Sequence, residues 1–174
     1  GAIETLADEQ PAPREVRADG NGVAWWSEST LRYWDRSSEE VRSLVTDVAG
    51  PIDLAVGAAY VYFTTDGNGS ESKTWVARVL RDGTEDVEVL VDEETFGARR
   101  FPVQVAIDED TMTFLFKYRS FPNNGWLCDV SLSASEGACH TYTPPPADAH
   151  LVVAGDTIYW PSRHSLVAYD RSTE

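Results

Sequence analysis

The sequence has few basic residues, two cysteines, one methionine and no long apolar run. Lys and Arg number 14 against 29 Asp and Glu, so the formal net charge is −15. A surface of this sign repels phosphate backbones and anionic lipids, which argues against nucleic-acid binding and membrane-surface roles. No stretch approaches the roughly 18 apolar residues of a membrane-spanning helix. A cationic partner or a bound metal ion is compatible with the charge.

Helical periodicity is also absent, and so is the Gly-x-Ser-x-Gly signature of a serine nucleophile. The sequence does contain six Trp, seven Tyr and six Phe among 42% hydrophobic residues. This composition is typical of packed β-sheets and argues against disorder. We therefore expect an all-β chain and predict no catalytic residue.

A strand–turn–strand pattern occurs four times along the chain. The four copies are Pro13–Trp26, Pro51–Thr64, Pro102–Leu115 and Asp148–Pro161. Each holds an alternating strand, then a turn made mostly of small and acidic residues, then an aromatic β-run. Gly, Asn and Asp in these turns supply the positive φ angles that hairpins need. Repeats of this length are typical of propeller blades or solenoids.

Each copy continues into a third and a fourth strand, except the last, which stops at Glu174 one strand short. The segment Ile3–Ala7 is similar to the fourth strand of the first copy, Val41–Thr46. Because β-propellers close in this way, we expect Ile3–Ala7 to complete the last blade. The sequence thus predicts one β-propeller domain, 1–174, of four blades with four antiparallel strands each. The blades begin at 13, 51, 102 and 148, and residues 1–12 complete the fourth.

The residues Tyr62–Asp66 read Tyr-Phe-Thr-Thr-Asp, and the third strand that follows ends in Arg81-Asp82-Gly83. This pattern resembles the YWTD-type propeller repeat and is similar to secreted bacterial propellers with degenerate versions of it. Ile158–Trp160 also matches, whereas Ala24–Glu28 and Thr113–Lys117 are degenerate. That family usually has six blades, and this chain encodes four. Three arrangements therefore stay open: a four-bladed ring, a half-ring that dimerises into eight blades, and a fragment of a longer protein.

The two cysteines, Cys128 and Cys139, flank the turn of a predicted hairpin symmetrically. Directly opposed residues on antiparallel strands approach within disulfide range. We therefore expect a disulfide between them and a secreted or periplasmic protein, with a signal peptide that this chain does not contain. The alternative is two small buried side chains in a reducing compartment.

One repeat position is polar in every copy. It lies near the start of each first strand and holds Glu15, Asp53, Gln104 and His150. The next residue is always apolar, so we expect the four polar side chains to face a central channel. Together they could hold a divalent cation such as Ca²⁺ or Zn²⁺. The alternative is a channel lining that binds only water.

A second candidate site is aromatic and basic, with Arg99 and Arg100 nearby. It consists of Tyr118, Arg119, Phe121, Trp126, Arg163 and His164. Aromatic faces stack on sugar rings or peptide side chains, and Arg pairs with carboxylates, so these residues are candidates for ligand binding. The alternative is packing between loops. At an aromatic position of the repeat, Trp25, Phe63, Phe114 and Trp160 are expected in the core between blades.

The function predicted from these features is non-enzymatic recognition of a peptide, glycan or protein by the face of an extracytoplasmic propeller. Sugar-lactonase-like and lyase-like propellers use axial carboxylates and histidine, so the resemblance keeps metal-assisted hydrolysis or elimination open for Glu15, Asp53 and His150. A third interpretation is a structural segment that assembles into a ring, for example as a homodimer.

Overall fold

The computed structural model describes residues 5–8, 10–66, 75–92, 100–108, 111–118, 125–132, 137–140, 150–162 and 165–171. These residues form β-strands joined by turns, arranged as four small antiparallel sheets. Among them, no helix is long and apolar enough to cross a membrane. The all-β prediction is confirmed.

The first two sheets each contain four strands in sequence order. The first sheet consists of β1 (Pro13–Ala18), β2 (Gly22–Ser27), β3 (Thr30–Asp35) and β4 (Glu40–Val45). The second consists of β5 (Pro51–Val56), β6 (Tyr60–Thr65), β7 (Trp75–Leu80) and β8 (Glu88–Asp92). In both, every strand pairs with the strand before it, so each sheet is a simple meander.

The third sheet repeats this meander, and the fourth has three strands in the described residues. The third sheet consists of β9 (Arg100–Asp108), β10 (Thr111–Tyr118), β11 (Gly125–Ser131) and β12 (Gly137–His140). The fourth consists of β13 (Val152–Ala154), β14 (Thr157–Ser162) and β15 (Ser165–Asp170).

Short polar turns set these registers, as the turn between β1 and β2 shows. The carboxylate of Asp19 accepts hydrogen bonds from the backbone N–H groups of Asn21 (2.9 Å) and Gly22 (3.0 Å), which is a typical Asx turn. A Cβ at Gly22 would lie 2.2 Å from the carbonyl oxygen of Trp34 and 2.4 Å from the hydroxyl of Tyr33. Only glycine therefore lets β3 approach this closely.

The core lies between successive sheets rather than within one sheet. We call each contact between two successive sheets a seam. Three clusters of buried apolar residues fill the first, second and third seams. Phe63 packs in the first seam, Phe114 in the second and Trp160 in the third, as the repeat predicts. Trp25 is buried too, but it belongs to none of the three clusters.

The predicted closing strand is not seen in the residues that are described. Thr5–Ala7 form no strand, and β15 pairs only with β14 there. Ile3 lies outside the described residues. The fourth sheet thus has three strands where the sequence predicts four, and completion of the last blade by residues 1–12 stays a prediction.

Candidate functional site

Asp53, predicted to face a channel, instead joins two sheets. It lies in β5, and its side chain is 8% exposed. Its Oδ2 accepts a hydrogen bond from the backbone N–H of Val105 in β9 (3.0 Å), and its Oδ1 accepts one from Nη2 of Arg17 in β1 (2.8 Å). One carboxylate therefore contacts both neighbouring sheets.

Gln104 makes the equivalent contact one sheet further along. Its Oε1 accepts a hydrogen bond from the backbone N–H of Leu151 at 3.0 Å. Because Leu151 in the fourth repeat and Val105 in the third occupy the same repeat position, the two contacts follow one rule. In both, a polar side chain on the first strand of one sheet accepts a hydrogen bond from the backbone N–H of this apolar residue in the next repeat.

The other two members of the predicted ring differ. Glu15 lies at a bulge in β1, with φ +48°, and its Oε2 is 3.5 Å from Nη2 of Arg17. His150 is exposed and precedes β13. No group of three His, Cys, Asp or Glu side chains in the described part of the chain is close enough to hold a metal ion. The structure thus gives Asp53 and Gln104 a role in sheet-to-sheet contact that the sequence analysis did not foresee.

A second seam contact centres on Arg81, which follows β7. Its guanidinium donates to the Asp19 carboxylate and to the carbonyl of Gly57, and its Nη1 donates to the Tyr33 hydroxyl at 3.2 Å. The guanidinium carbon also lies 5.4 Å from the centre of the Tyr33 ring. Since Asp19 and Tyr33 belong to the first sheet, Arg81 fastens the second sheet to it.

Arg171 repeats this arrangement after β15. It donates to the carbonyl of Gly155 in its own sheet and to Asp129 and Thr113 in the third sheet (3.4 Å each). The sequence signal was an arginine after the third strand of a repeat, present as Arg36, Arg81 and Arg171. The repeat pattern alone does not predict that these arginines join neighbouring sheets.

Beside Arg81 lies an open cavity of about 550 Å³ between the first two sheets. We call it the arginine cavity, because three arginines line it. Its lining consists of Gly20, Asn21, Tyr33, Asp35, Arg36, Ser37, Arg42, Ala58, Arg81 and Asp82. Three cationic and two anionic side chains line it, and the carboxylates of Asp19 and Glu40 contact Arg81 and Arg42 from outside the lining.

The two carboxylates of the cavity are already engaged. Ser37 donates to Asp35 from its backbone N–H (2.8 Å) and its hydroxyl (2.7 Å), and these bonds lower the pKa of Asp35. Thr84 donates to Asp82 in the same way (3.0 and 2.7 Å) and lowers its pKa. Both groups are therefore ionised and hydrogen-bonded at neutral pH.

The arginines keep more hydrogen-bonding capacity. The contacts described for Arg42 are all long: 3.8 Å to Asp35, and 3.4 Å both to Glu40 and to the Ser38 hydroxyl. Nε of Arg81 is buried and has no hydrogen-bond partner in the described structure. Burial raises the pKa of Tyr33, so its hydroxyl stays a neutral hydrogen-bonding group. The chemistry of this lining suits an anionic group of a ligand, such as a carboxylate.

The predicted aromatic and basic site lies mostly outside the described residues. Arg119, Phe121, Arg163 and His164 are not described, so their part of the prediction is untested. Tyr118 ends β10, and Trp126 lies in β11 opposite Phe116. The backbone therefore places Tyr118 and Trp126 at the same end of the third sheet, and a ligand site there stays a prediction.

The register of β11 and β12 places Cys128 directly opposite Cys139, as the hairpin predicts. Cys128 is disulfide-bonded, and no free cysteine is found among the described residues. The chain has two cysteines. A thiol count, described below, tests the pairing in solution.

The fold is similar to that of known β-propeller proteins. Kluyveromyces lactis Hsv2 aligns with a TM-score of 0.58 at 12% identity, over 95% of this chain and 49% of that chain. A chain from the S. cerevisiae structure of a Dbp5 variant bound to Nup159, a Gle1 variant, IP6 and ADP also gives 0.58, at 8% identity over 95% and 51%. This chain thus spans about half the length of each of these two chains. No family model and no curated protein matches the sequence.

Proposed function

We propose that this chain is a non-enzymatic recognition module that binds a protein partner on a propeller face. The arginine cavity is the observation that carries the proposal. It is a concave site of ordinary ligand-pocket size, and its more accessible arginines, Arg36 and Arg42, make long contacts of 3.3–3.8 Å in the described structure. Arginine pairs with carboxylates in strong, charge-assisted hydrogen bonds. The bound group is therefore an Asp or Glu side chain, or the C-terminal carboxylate, of a peptide segment.

The scaffold supports this proposal. Loops and turns held by a rigid sheet framework are common binding sites, and the cavity is lined mainly by turn residues between strands. One of the similar structures is an assembly of several proteins, which fits protein binding by this fold. The bonded state of Cys128 supports an extracytoplasmic location, since disulfides persist in oxidising compartments.

Panning a random-peptide display library on the immobilised chain tests the proposal. We expect enrichment of peptides that contain Asp or Glu. Arg42→Ala should weaken a selected peptide by roughly 10-fold or more, because it removes a charge-assisted contact. Arg14→Ala is the matched control, since Arg14 is exposed and does not line this cavity. Enrichment of uncharged or basic peptides, or equal affinity in both variants, would contradict the proposal.

Tyr118, Trp126 and the neighbouring loop residues lie where β10 leads into β11, at the opposite end of the strands from the turns that line the arginine cavity. We propose them as a separate contact for a whole protein partner. A Trp126→Ala variant that loses affinity for the parent protein of a selected peptide, but not for the peptide itself, would support this. Binding of a simple glycan instead, lost in Trp126→Ala and retained in Arg42→Ala, would identify a sugar site distinct from the arginine cavity.

A further inference from the structure

The fourth sheet has an apolar face that no other sheet covers in the described structure. We call it the trailing face; its residues are Val152, Tyr159, Pro161, Leu166 and Ala168. The register aligns Val152, Tyr159 and Ala168 in one row and Pro161 with Leu166 in the next. Leu166 is 71% exposed and Val152 58%. Exposed apolar side chains grouped on one sheet face indicate an interaction surface.

The same face is buried in each of the other three sheets. Pro161 is the fifth residue of its second strand, and it is exposed. The fifth residues of the other second strands, Trp26, Thr64 and Leu115, are all fully buried. In the described part of the chain, the trailing face is therefore a seam face that no neighbouring sheet covers.

The first sheet also has an uncovered face in the described structure, on the side that points away from the second sheet. Val16 is 56% exposed, whereas Leu54 and Val105, which occupy the same position in the second and third repeats, are buried. Trp25 belongs to no seam cluster, although the equivalent Phe63 packs against the preceding sheet. We call the side of the first sheet that carries Val16, Val23 and Trp34 the leading face. No sheet precedes the leading face among the described residues.

Polar side chains of the first and fourth sheets also lack a partner from a neighbouring sheet in the described structure. His150 occupies the repeat position from which Asp53 and Gln104 accept an N–H of the next sheet, and it has no partner in the described structure. Arg36 corresponds to Arg81 and Arg171, which each reach the preceding sheet. It is exposed, and the contact described for it is with the carbonyl of Gly20 in its own sheet (3.3 Å).

The missing acidic partner for Arg36 is available at the other end of the chain. Arg81 binds Asp19, which lies in the turn after the first strand of the preceding sheet. The corresponding turn of the fourth sheet carries Asp156, which is exposed and makes no side-chain contact in the described residues. The fourth sheet thus offers the carboxylate of Asp156 and the imidazole of His150, and the first sheet offers Arg36, which contacts no carboxylate in the described residues.

We propose that the trailing face of one chain packs on the leading face of a second copy, and that two copies close head to tail into an eight-bladed ring. The trailing and leading faces of one chain are the same two kinds of surface that pack together in its internal seams. A second copy can therefore cover the trailing face of the first with its leading face, and the leading face of the first with its trailing face. Both new seams are equivalent, because a two-fold axis relates the copies.

Light scattering coupled to size exclusion tests the proposal on the 174-residue chain. We expect a mass of twice 19.2 kDa. Val16→Glu on the leading face and Leu166→Glu on the trailing face should each raise the dissociation constant by at least about 100-fold, because each buries an unpaired charge. Val89→Glu is the matched control, since Val89 is 48% exposed on β8, away from both end faces. Circular dichroism of each variant checks that it remains folded.

Mixing the two defective variants gives the sharper test. A Val16→Glu copy still has an intact trailing face, and a Leu166→Glu copy still has an intact leading face. In a head-to-tail ring the mixture should therefore dimerise through one intact seam, although neither variant dimerises alone. A monomeric wild-type chain would overturn the proposal. So would a Val16→Glu variant that dimerises like the wild type, because that result requires two trailing faces to pack on each other.

Discussion

Asp19 and Asp53 are both carboxylates at seams, yet their pKa values shift in opposite directions. The side chain of Asp53 is 8% exposed, and its burial raises the pKa despite the hydrogen bond from Val105 and the charge of Arg17. Burial also acts on Asp19, but the side chain is 26% exposed. There, hydrogen bonds from Arg81 and two backbone N–H groups outweigh desolvation and lower the pKa. The balance between burial and hydrogen bonding therefore decides the sign of each contribution. At neutral pH the ionised carboxylate of Asp19 stabilises the folded state, whereas ionisation of Asp53 costs stability.

Asp19→Asn should destabilise the protein by about 1–3 kcal/mol at pH 7, because it removes a charge-assisted hydrogen bond to Arg81. The folded-state pKa of Asp19 lies below 3.8, so its contribution is present above that pH and is lost as pH falls through the lowered value. Urea unfolding at pH 7 and near pH 3 measures this. The difference between variant and wild type should shrink at low pH. Asp86→Asn, at an exposed site, is the control, and a pH-independent difference would contradict the assignment.

Asp53→Ala and Asp53→Asn should have different effects. Alanine leaves the N–H of Val105 without its acceptor and should cost about 1–3 kcal/mol. Asparagine keeps an acceptor oxygen and removes a buried charge, so it should stay within about 1 kcal/mol of wild type. Burial raises the pKa of Asp53, so the folded state binds this proton more tightly than the unfolded state does. The free energy of unfolding of the wild type should therefore fall as pH rises from 3.8 through the raised pKa. Asp53→Asn should not show this fall. Equal destabilisation by both variants would show that the charge itself is needed.

At the scale of strands and sheets, alternation and turn chemistry predict most of the structure. The aromatic second strands, the tight turns and the hairpin that opposes Cys128 and Cys139 all follow from local patterns. The bulge at Glu15 does not, because a bulge changes register without changing the alternation of residue types. The seam role of Arg81 also escapes local analysis, since its acidic partner lies 62 residues away in the sequence. Contacts between sheets depend on how blades stack, which no single repeat specifies.

The hairpin of β11 and β12 gives a prediction at this scale. Alkylation without reductant, followed by intact-mass analysis, should find no free thiol in protein prepared under oxidising conditions. Cys139→Ser should then destabilise the chain by about 2–3 kcal/mol, because the bond closes a short loop in the unfolded state. The wild type treated with reductant should show a similar loss. Two alkylated cysteines in the oxidised protein would contradict the pairing.

Over the whole molecule, stability is distributed along a row of seams rather than held in one central core. Each seam joins only neighbouring sheets, as in repeat proteins whose stability is a sum of local and nearest-neighbour contributions. The second sheet takes part in two seams and the fourth in one within the described structure. The fourth sheet also carries the apolar trailing face. Ends of such arrays are the least stable parts unless something covers them.

Native-state hydrogen exchange should therefore show a gradient along the chain. Amides of β14 should exchange faster than those of β6, because opening the fourth sheet breaks one seam and opening the second breaks two. Phe63→Ala, in the first seam, should cost about 3–5 kcal/mol of global stability. Ile158→Ala should mainly accelerate exchange in β14 and β15.

If the head-to-tail ring forms, Leu166→Glu should steepen the gradient by uncovering the fourth sheet, and Val89→Glu should leave it unchanged. Uniform exchange across all four sheets in Leu166→Glu would show that the molecule unfolds as one cooperative unit. It would contradict the description of stability as a sum of contributions from separate seams.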